Sequence, residues 1–249
     1  MVSGKQGVNP ASTGVQAWYE ANYGEAGFES QRRYPNEELC RFMGRHFFRV
    51  PADRRKDVRI LEAGCGSGAN LWMIAREGFD AWGLDFSETS IALCRQMMER
   101  HGVSATLAVG DMAAMDYPPA SFDAIVDVFS SYCLDDRGHA AFLDGVARLL
   151  RPGGRFFTYT PGKGSSDWKG PDNVVPTPGS ALVYPNNRYP FRYTTIEELS
   201  ADLARRGIAV TAGETVRRTY ANDTVLFEFV VVEGLLGGAA GRERGAAST

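Results

Sequence analysis

The sequence predicts an α/β fold, a doubly wound and mostly parallel sheet of seven strands, and three observations carry that expectation. Short apolar runs alternate with helical stretches between residues 58 and 159; a glycine-rich turn joins the first strand of that series to its first helix; and two β-rich runs close the chain. Strand and helix in strict succession require parallel strands covered on both faces, because each crossover lays its helix against the sheet.

Taken in order, residues 1–16 are small and polar without apolar periodicity and read as a mobile tail, as do 237–249. Between them lies a single domain, 17–236, which opens with an N-terminal helical arm, 17–57. Over 36–50, Leu39, Phe42, Met43, Phe47 and Val50 recur at helical spacing. Arg41, Arg45 and Arg49 fall four apart on another face, read as solvated, with Glu37 placed to pair with Arg41. Residues 58–63 read as a strand, 68–77 as a helix, 81–84 as a strand, and 87–100 as a helix closed by Gly102. Strands follow at 106–109 and 122–129, then a helix at 139–150 and a strand at 155–159 after the turn Pro152-Gly153-Gly154.

Residues 160–193 break this rhythm. They are rich in Pro, Gly and Asn yet carry Trp168, Tyr184, Tyr189, Phe191 and Tyr193, which suits a lid insertion. A helix at 195–206 and two β runs at 209–219 and 224–232, expected to pair antiparallel, complete the domain.

Composition narrows the function. With 27 Lys+Arg against 30 Asp+Glu, the formal charge is −3, which argues against a nucleic-acid partner. No run approaches the roughly 18 apolar residues of a membrane span, and FVVVEGLLGGAA is broken by Glu233 and glycines. The first residues lack a secretory core, and four cysteines without CxxC spacing make neither a disulfide framework nor a zinc site. The expectation is a cytoplasmic protein, monomer or homodimer, that acts on a small molecule and holds no metal.

The motif with chemistry in it is Glu62-Ala63-Gly64-Cys65-Gly66-Ser67-Gly68-Ala69, a turn from strand to helix where an open α/β sheet binds nucleotide-like ligands. Glycine leaves the tight turn and its amides open to a ligand. As G-x-G-x-x-A it would also pass for a dinucleotide fingerprint, so its neighbours decide. Glu62 is awkward beside a pyrophosphate but suits an ammonium group. Asp85 ends the second strand about 20 residues on, where a carboxylate accepts from ribose hydroxyls. Asp111 and Met112 follow the third strand and offer an acceptor to an exocyclic amine and a thioether to an adenine face. An adenosine with an amino-acid tail satisfies all three.

With LEAGCGSG, GLD, VGDM, FDAIVDV and LLRPGG in order, the chain resembles a class I S-adenosylmethionine-dependent methyltransferase of the small-molecule type. The resemblance implies that Glu62, Gly64 and Gly66 surround the methionine moiety, with Asp85 on the ribose, Phe86 and Met112 on the adenine faces and Asp111 on the adenine amine. It further implies that the end of the fourth strand, with Asp127 and Phe129, passes the methionine end, and that a seventh strand runs antiparallel. Tyr19 is assigned to the cofactor; Tyr23, Ser130 and Tyr132 to the reacting end; and Tyr34, Tyr184, Tyr189 and Tyr193 to substrate. Plainer readings stand beside these. Asp85 and Asp111 also suit capping, Asp135-Asp136 suit a helix N-terminus better than a metal, Cys65 suits packing, and His46, His101 and His139 show no partner in sequence.

Transfer from a sulfonium needs an acceptor held in line and water excluded, and a strong protein base is optional. Methyl transfer is the leading expectation. The run FESQRRYPNEELCRFMGRHF also looks similar to azetidine-forming cyclases of this fold. They attack the γ-carbon intramolecularly and release azetidine-2-carboxylate and methylthioadenosine; an outside nucleophile would give aminocarboxypropyl transfer. A cofactor-binding scaffold and an NAD-dependent enzyme complete the alternatives.

Overall fold

A computed structural model of the chain describes residues 20, 27–166, 168 and 192–238. The expectations placed on Tyr19, Tyr23, Tyr184, Tyr189, Phe191, most of the insertion and most of both tails lie outside the described residues.

The arm contributes α1 (Glu37–His46). The sheet series then runs β1 (Arg59–Ala63), α2 (Leu71–Arg76), β2 (Asp80–Asp85), α3 (Glu88–His101), β3 (Thr106–Val109), β4 (Phe122–Val128), α4 (Asp136–Leu149), β5 (Leu150–Pro161), α5 (Ile196–Ala204), β6 (Ile208–Tyr220) and β7 (Val225–Leu236). The seven strands form one sheet in the order β3-β2-β1-β4-β5-β7-β6. Strands β1 to β5 pair in parallel, and β7 runs antiparallel to both β5 and β6. The chain winds outward from β1 to β3 and restarts at β4 on the other side of β1. The carboxyl ends of β1 and β4 therefore flank the crevice where the strand order reverses.

Alternation along the strands divides the core in two. Ile60 of β1 joins Phe42, Met43, Ile74, Cys94 and Met97 under α1, α2 and α3. Its neighbour Leu61 joins Phe142, Val146, Leu149, Leu199 and Leu203 under α4 and α5. Both faces of β1 are thus buried, which is why its sequence reads as a continuous apolar run.

The helix ends follow local chemistry. Asn36 accepts from the N–H groups of Glu38 and Leu39, Ser87 from Ser90, and Asp135 from Gly138, while Thr195 and Glu198 form a capping box on α5. Gly102 closes α3 at φ 63°. Asp135 takes the capping role expected of it. Among the described residues, no helix is long and apolar enough to cross a membrane.

Several boundaries differ from the sequence reading. Helix α2 starts at Leu71 rather than at 68, because Gly68 has φ 85° and cannot continue a right-handed helix. Helix α1 ends at His46, four residues short of Val50, ahead of Pro51. Helix α4 begins at Asp136, three residues before His139. The turn expected at Pro152-Gly153-Gly154 is an irregularity within β5: pairing with β4 jumps from Leu150 opposite Phe122 to Arg155 opposite Ala124.

Side-chain contacts extend the sequence reading. Arg45 is exposed, as expected of its face, and also holds a long-range ion pair. Its Nε donates to Glu233 Oε1 at 3.0 Å, and His46 Nε2 lies 2.6 Å from Glu233 Oε2, so α1 is tied to β7 through a carboxylate only 2% exposed. His46 and His101 have partners that the sequence did not show. His101 stacks on Trp72 with ring centroids 3.9 Å apart, and His139 packs its ring against Phe142 at 6.5 Å.

Candidate functional site

The glycine turn begins where β1 ends, and backbone bonds hold it to β2. The N–H groups of Gly64 and Cys65 both donate to Leu84 O, at 2.7 and 3.0 Å. Gly64 adopts φ 73°, and a Cβ there would collide with the Ser130 side chain and lie 2.9 Å from Met112 Cε. Only glycine satisfies both that conformation and that approach. Ser130, in the turn after β4, donates from Oγ to Gly64 O at 2.9 Å. The ends of β1, β2 and β4 and the turn after β3 therefore meet around one loop.

Glu62 stands at its base, 1% exposed. Asn70 Nδ2 donates to its Oε1 at 2.6 Å, whereas Oε2 is buried with no hydrogen-bond partner among the described residues. Burial pushes this carboxyl up to about 8; the Asn70 hydrogen bond and the charge of Arg32 pull it down without prevailing. Asn70 is itself held by the arm: its Oδ1 accepts from Arg32 Nη2 at 2.9 Å and from Asn36 N at 2.8 Å. Trp72 Nε1 donates to Arg33 O at 3.0 Å, fixing the same stretch of arm over α2. Sequence reasoning missed Asn70, Arg32 and Asn36, because contacts 34 to 38 residues apart leave no periodic signal.

Asp85, 6% exposed, accepts from Gly66 N through Oδ2 at 2.9 Å and from Ser87 N through Oδ1 at 3.0 Å. Burial again raises its carboxyl above the usual value, and these hydrogen bonds oppose the rise. Each oxygen keeps a further lone pair, enough for a vicinal diol. Glu20 from the arm caps the next helix, its carboxylate accepting from Glu88 N at 2.7 Å and Thr89 N at 3.2 Å. Asp111 is 4% exposed and accepts from Ala113 N at 2.8 Å, so its capping role and a place in the crevice coexist. Met112 is buried beside it and Phe86 is half-buried. Cys65 is packed, 5% exposed.

Asp127 is fully buried, and its oxygens serve the turn that follows it. Oδ1 accepts from Ser130 N at 3.2 Å and Ser131 N at 3.0 Å; Oδ2 accepts from Ser131 Oγ at 2.5 Å and Thr158 Oγ1 at 2.8 Å. Within that turn Phe129 takes φ 57°, unusual for an aromatic residue, and its ring meets Tyr132 at 4.5 Å and Phe229 at 5.7 Å. Tyr159 stacks on Phe229 at 4.6 Å and Phe227 adjoins Phe229 at 4.7 Å, completing an aromatic wall from β4, β5 and β7. Tyr159, Phe227 and Phe229 were not picked out in sequence; two aromatics at i, i+2 on a terminal strand were the signal available.

Two predicted substrate residues lie apart from this wall. Tyr34 is 74% exposed on the arm, and Tyr193 is buried against Trp168, ring centroids 5.6 Å apart, beside a different cleft.

Residues present and ligand expected agree. A buried carboxylate oxygen without a partner, a turn open only to glycine and a diol-ready carboxylate suit the ammonium, chain and ribose of S-adenosylmethionine.

Comparison with known proteins gives the same reading. Residues 60–154 match the model of a methyltransferase domain. A fatty-acid O-methyltransferase of Mycolicibacterium smegmatis is 39% identical over 105 residues, 41% of this chain and 36% of that protein. A sterol 24-C-methyltransferase of Neurospora crassa is 31% identical over 150 residues, 57% of this chain and 38% of that one. The matches thus span well under half the length of these relatives. A solved structure concerned with conversion of a disulfide bond into a thioacetal group during echinomycin biosynthesis superposes with TM-score 0.67 at 17% identity, covering 94% of this chain and 98% of its own. By its sheet order, its glycine turn and these matches, the chain has the class I S-adenosylmethionine-dependent methyltransferase fold, and its residues 60–154 resemble a methyltransferase domain.

Proposed function

We propose that the chain transfers the methyl group of S-adenosylmethionine to a nucleophile on a small molecule. The observation that carries this reading is the buried, unpartnered Oε2 of Glu62 beside the glycine turn. A carboxylate there favours an ammonium-bearing nucleoside over a dinucleotide, whose pyrophosphate it would repel. Glu62 would hold the ammonium, Gly64 and Gly66 the methionine chain, Asp85 the ribose, and Asp111, Met112 and Phe86 the adenine. Asp127 would act through the turn it braces.

When bound, S-adenosylmethionine supplies a sulfonium whose methyl carbon is already electrophilic. The protein's task is then to hold an acceptor in line and exclude water. Phe129, Tyr132, Tyr159 and Phe229 offer an apolar, π-rich wall that suits a cation and sheds water. Burial pushes the Tyr159 hydroxyl up to about 12, so near neutral pH it donates a hydrogen bond and does not serve as a base. His46 is taken by Glu233 and His101 by Trp72. The arrangement therefore favours an acceptor that already carries an available lone pair, oriented by Ser130, Tyr132 and Tyr23. Names of the matched relatives, an O- and a C-methyltransferase of lipids, support a small-molecule acceptor. The acidic composition supports a cytoplasmic monomer or homodimer with no nucleic-acid partner, and residues 160–193 are assigned to a lid.

Product analysis tests the reading. The purified protein is incubated with S-adenosylmethionine alone and with acceptor panels, and the adenosyl products are identified by mass spectrometry. Acceptor-dependent S-adenosylhomocysteine supports methyl transfer. Methylthioadenosine with azetidine-2-carboxylate from S-adenosylmethionine alone would replace it with the cyclisation, and absence of cofactor binding by calorimetry would overturn both.

A further inference from the structure

Apart from the glycine-turn crevice, a cleft of about 480 Å³ opens between the first turn of α4, helix α5 and the chain around Lys163 and Arg192. Its charges are arranged unevenly. Arg192 pairs with Asp136 and Lys163 with Glu198, but the cations lie inward, 19% and 29% exposed, and the carboxylates outward, 66% and 50% exposed. Ion pairs whose acid is this exposed contribute little to stability, so another carboxylate can take the place of Asp136 at small cost.

A buried donor and a neutral histidine face the cleft. Arg192 Nε is buried without an acceptor among the described residues. His139, 6% exposed, forms the floor, and no hydrogen bond to another described residue reaches its ring nitrogens. Burial first, then the charges of Arg192 and Arg206, push its imidazole down to about 3, so it is neutral and offers one N–H and one acceptor nitrogen. Beside these groups Lys163 Nζ sits 5.4 Å from the Trp168 ring centroid, and Trp168 stacks on Tyr193. An aromatic shelf thus adjoins the cations. An unsatisfied buried donor next to displaceable surface acids is what a site for an oxyanion carrying an apolar body requires.

We propose that this cleft is a second small-molecule site, which receives a carboxylate on Arg192 and Lys163 over the His139 imidazole and seats its apolar body on Trp168 and Tyr193. The site adjoins the first one through a single bond: Arg192 N donates to Tyr132 O at 2.8 Å, in the turn after β4. It stands whether or not the methyl-transfer reading holds.

Imidazole NMR of the full chain tests it, with benzoate as probe and benzamide as its uncharged counterpart. His46 and His101 serve as internal references. Benzoate is expected to shift His139 saturably and leave the other two unmoved, benzamide to shift none, and Arg192→Gln and Lys163→Gln each to weaken benzoate at least tenfold. Calorimetric S-adenosylmethionine affinity, unchanged in both variants, verifies their fold independently. Equal response of all three imidazoles, equal effect of benzamide, or unaltered benzoate affinity in both variants would overturn the proposal.

Discussion

Glu62 and Asp127 end neighbouring strands, β1 and β4, and both are buried, at 1% and 0% exposure. Their surroundings differ. By strand alternation Glu62 faces α1 and α2, where it accepts one hydrogen bond and leaves Oε2 bare; Asp127 faces α4 and accepts four bonds from its own turn and from β5. The difference teaches that burial of a carboxylate says nothing about its use until its acceptors are counted. Asp127 is consumed by the fold, whereas Glu62 keeps an oxygen that no described residue pairs.

Substitutions should separate the two. Asp127→Ala strips acceptors from two backbone amides and two hydroxyls and is expected to cost about 3 kcal/mol, a Tm loss of roughly 6–12 °C by calorimetry. An unchanged Tm would remove Asp127 from its structural role. Glu62→Gln is expected to do the reverse: S-adenosylmethionine affinity falls about 10- to 100-fold while Tm holds or rises, because the carboxyl oxygen it replaces has no partner among the described residues. Asp85→Ala should lie between, losing cofactor affinity together with about 1–2 kcal/mol from the Gly66 and Ser87 bonds. A pH effect follows. Glu62 binds its proton more tightly folded, near 8, than at the ordinary value of 4.5, so the ligand-free protein should lose stability as pH rises from 4.5 to 8. Melting curves across that range should show a shallower slope for Glu62→Gln. The smallest change expected is Ser130→Ala, about 1 kcal/mol for one hydrogen bond to Gly64 O.

The same contrast marks how far the sequence could be read. Much that is local was legible: the strand and helix rhythm, the acidic helix start at Asp135, and a glycine turn flanked by Glu62, Asp85 and Asp111. Each depends on spacing within a few residues. Partners far apart in the chain were not. Nothing near Asn70 points to Arg32 or Asn36, and His46 meets Glu233 across 187 residues. One long-range clue did exist, since a lone glutamate inside the apolar run FVVVEGLL has to find a cation once that strand is buried. The irregularity at Pro152-Gly153-Gly154 misled for the opposite reason. Its local chemistry is that of a turn, and pairing with β4 at Leu150 and again from Arg155 carries the strand through it.

The most direct test of the reserved oxygen is the proton count on binding. Calorimetric titration with S-adenosylmethionine at pH 6.5, in buffers of differing ionisation enthalpy, should show about one proton released per cofactor bound, because an arriving ammonium converts a protonated Glu62 to its carboxylate. Glu62→Gln should abolish that release. A binding enthalpy independent of buffer, or a Glu62→Gln variant with the affinity of the parent, would contradict the account.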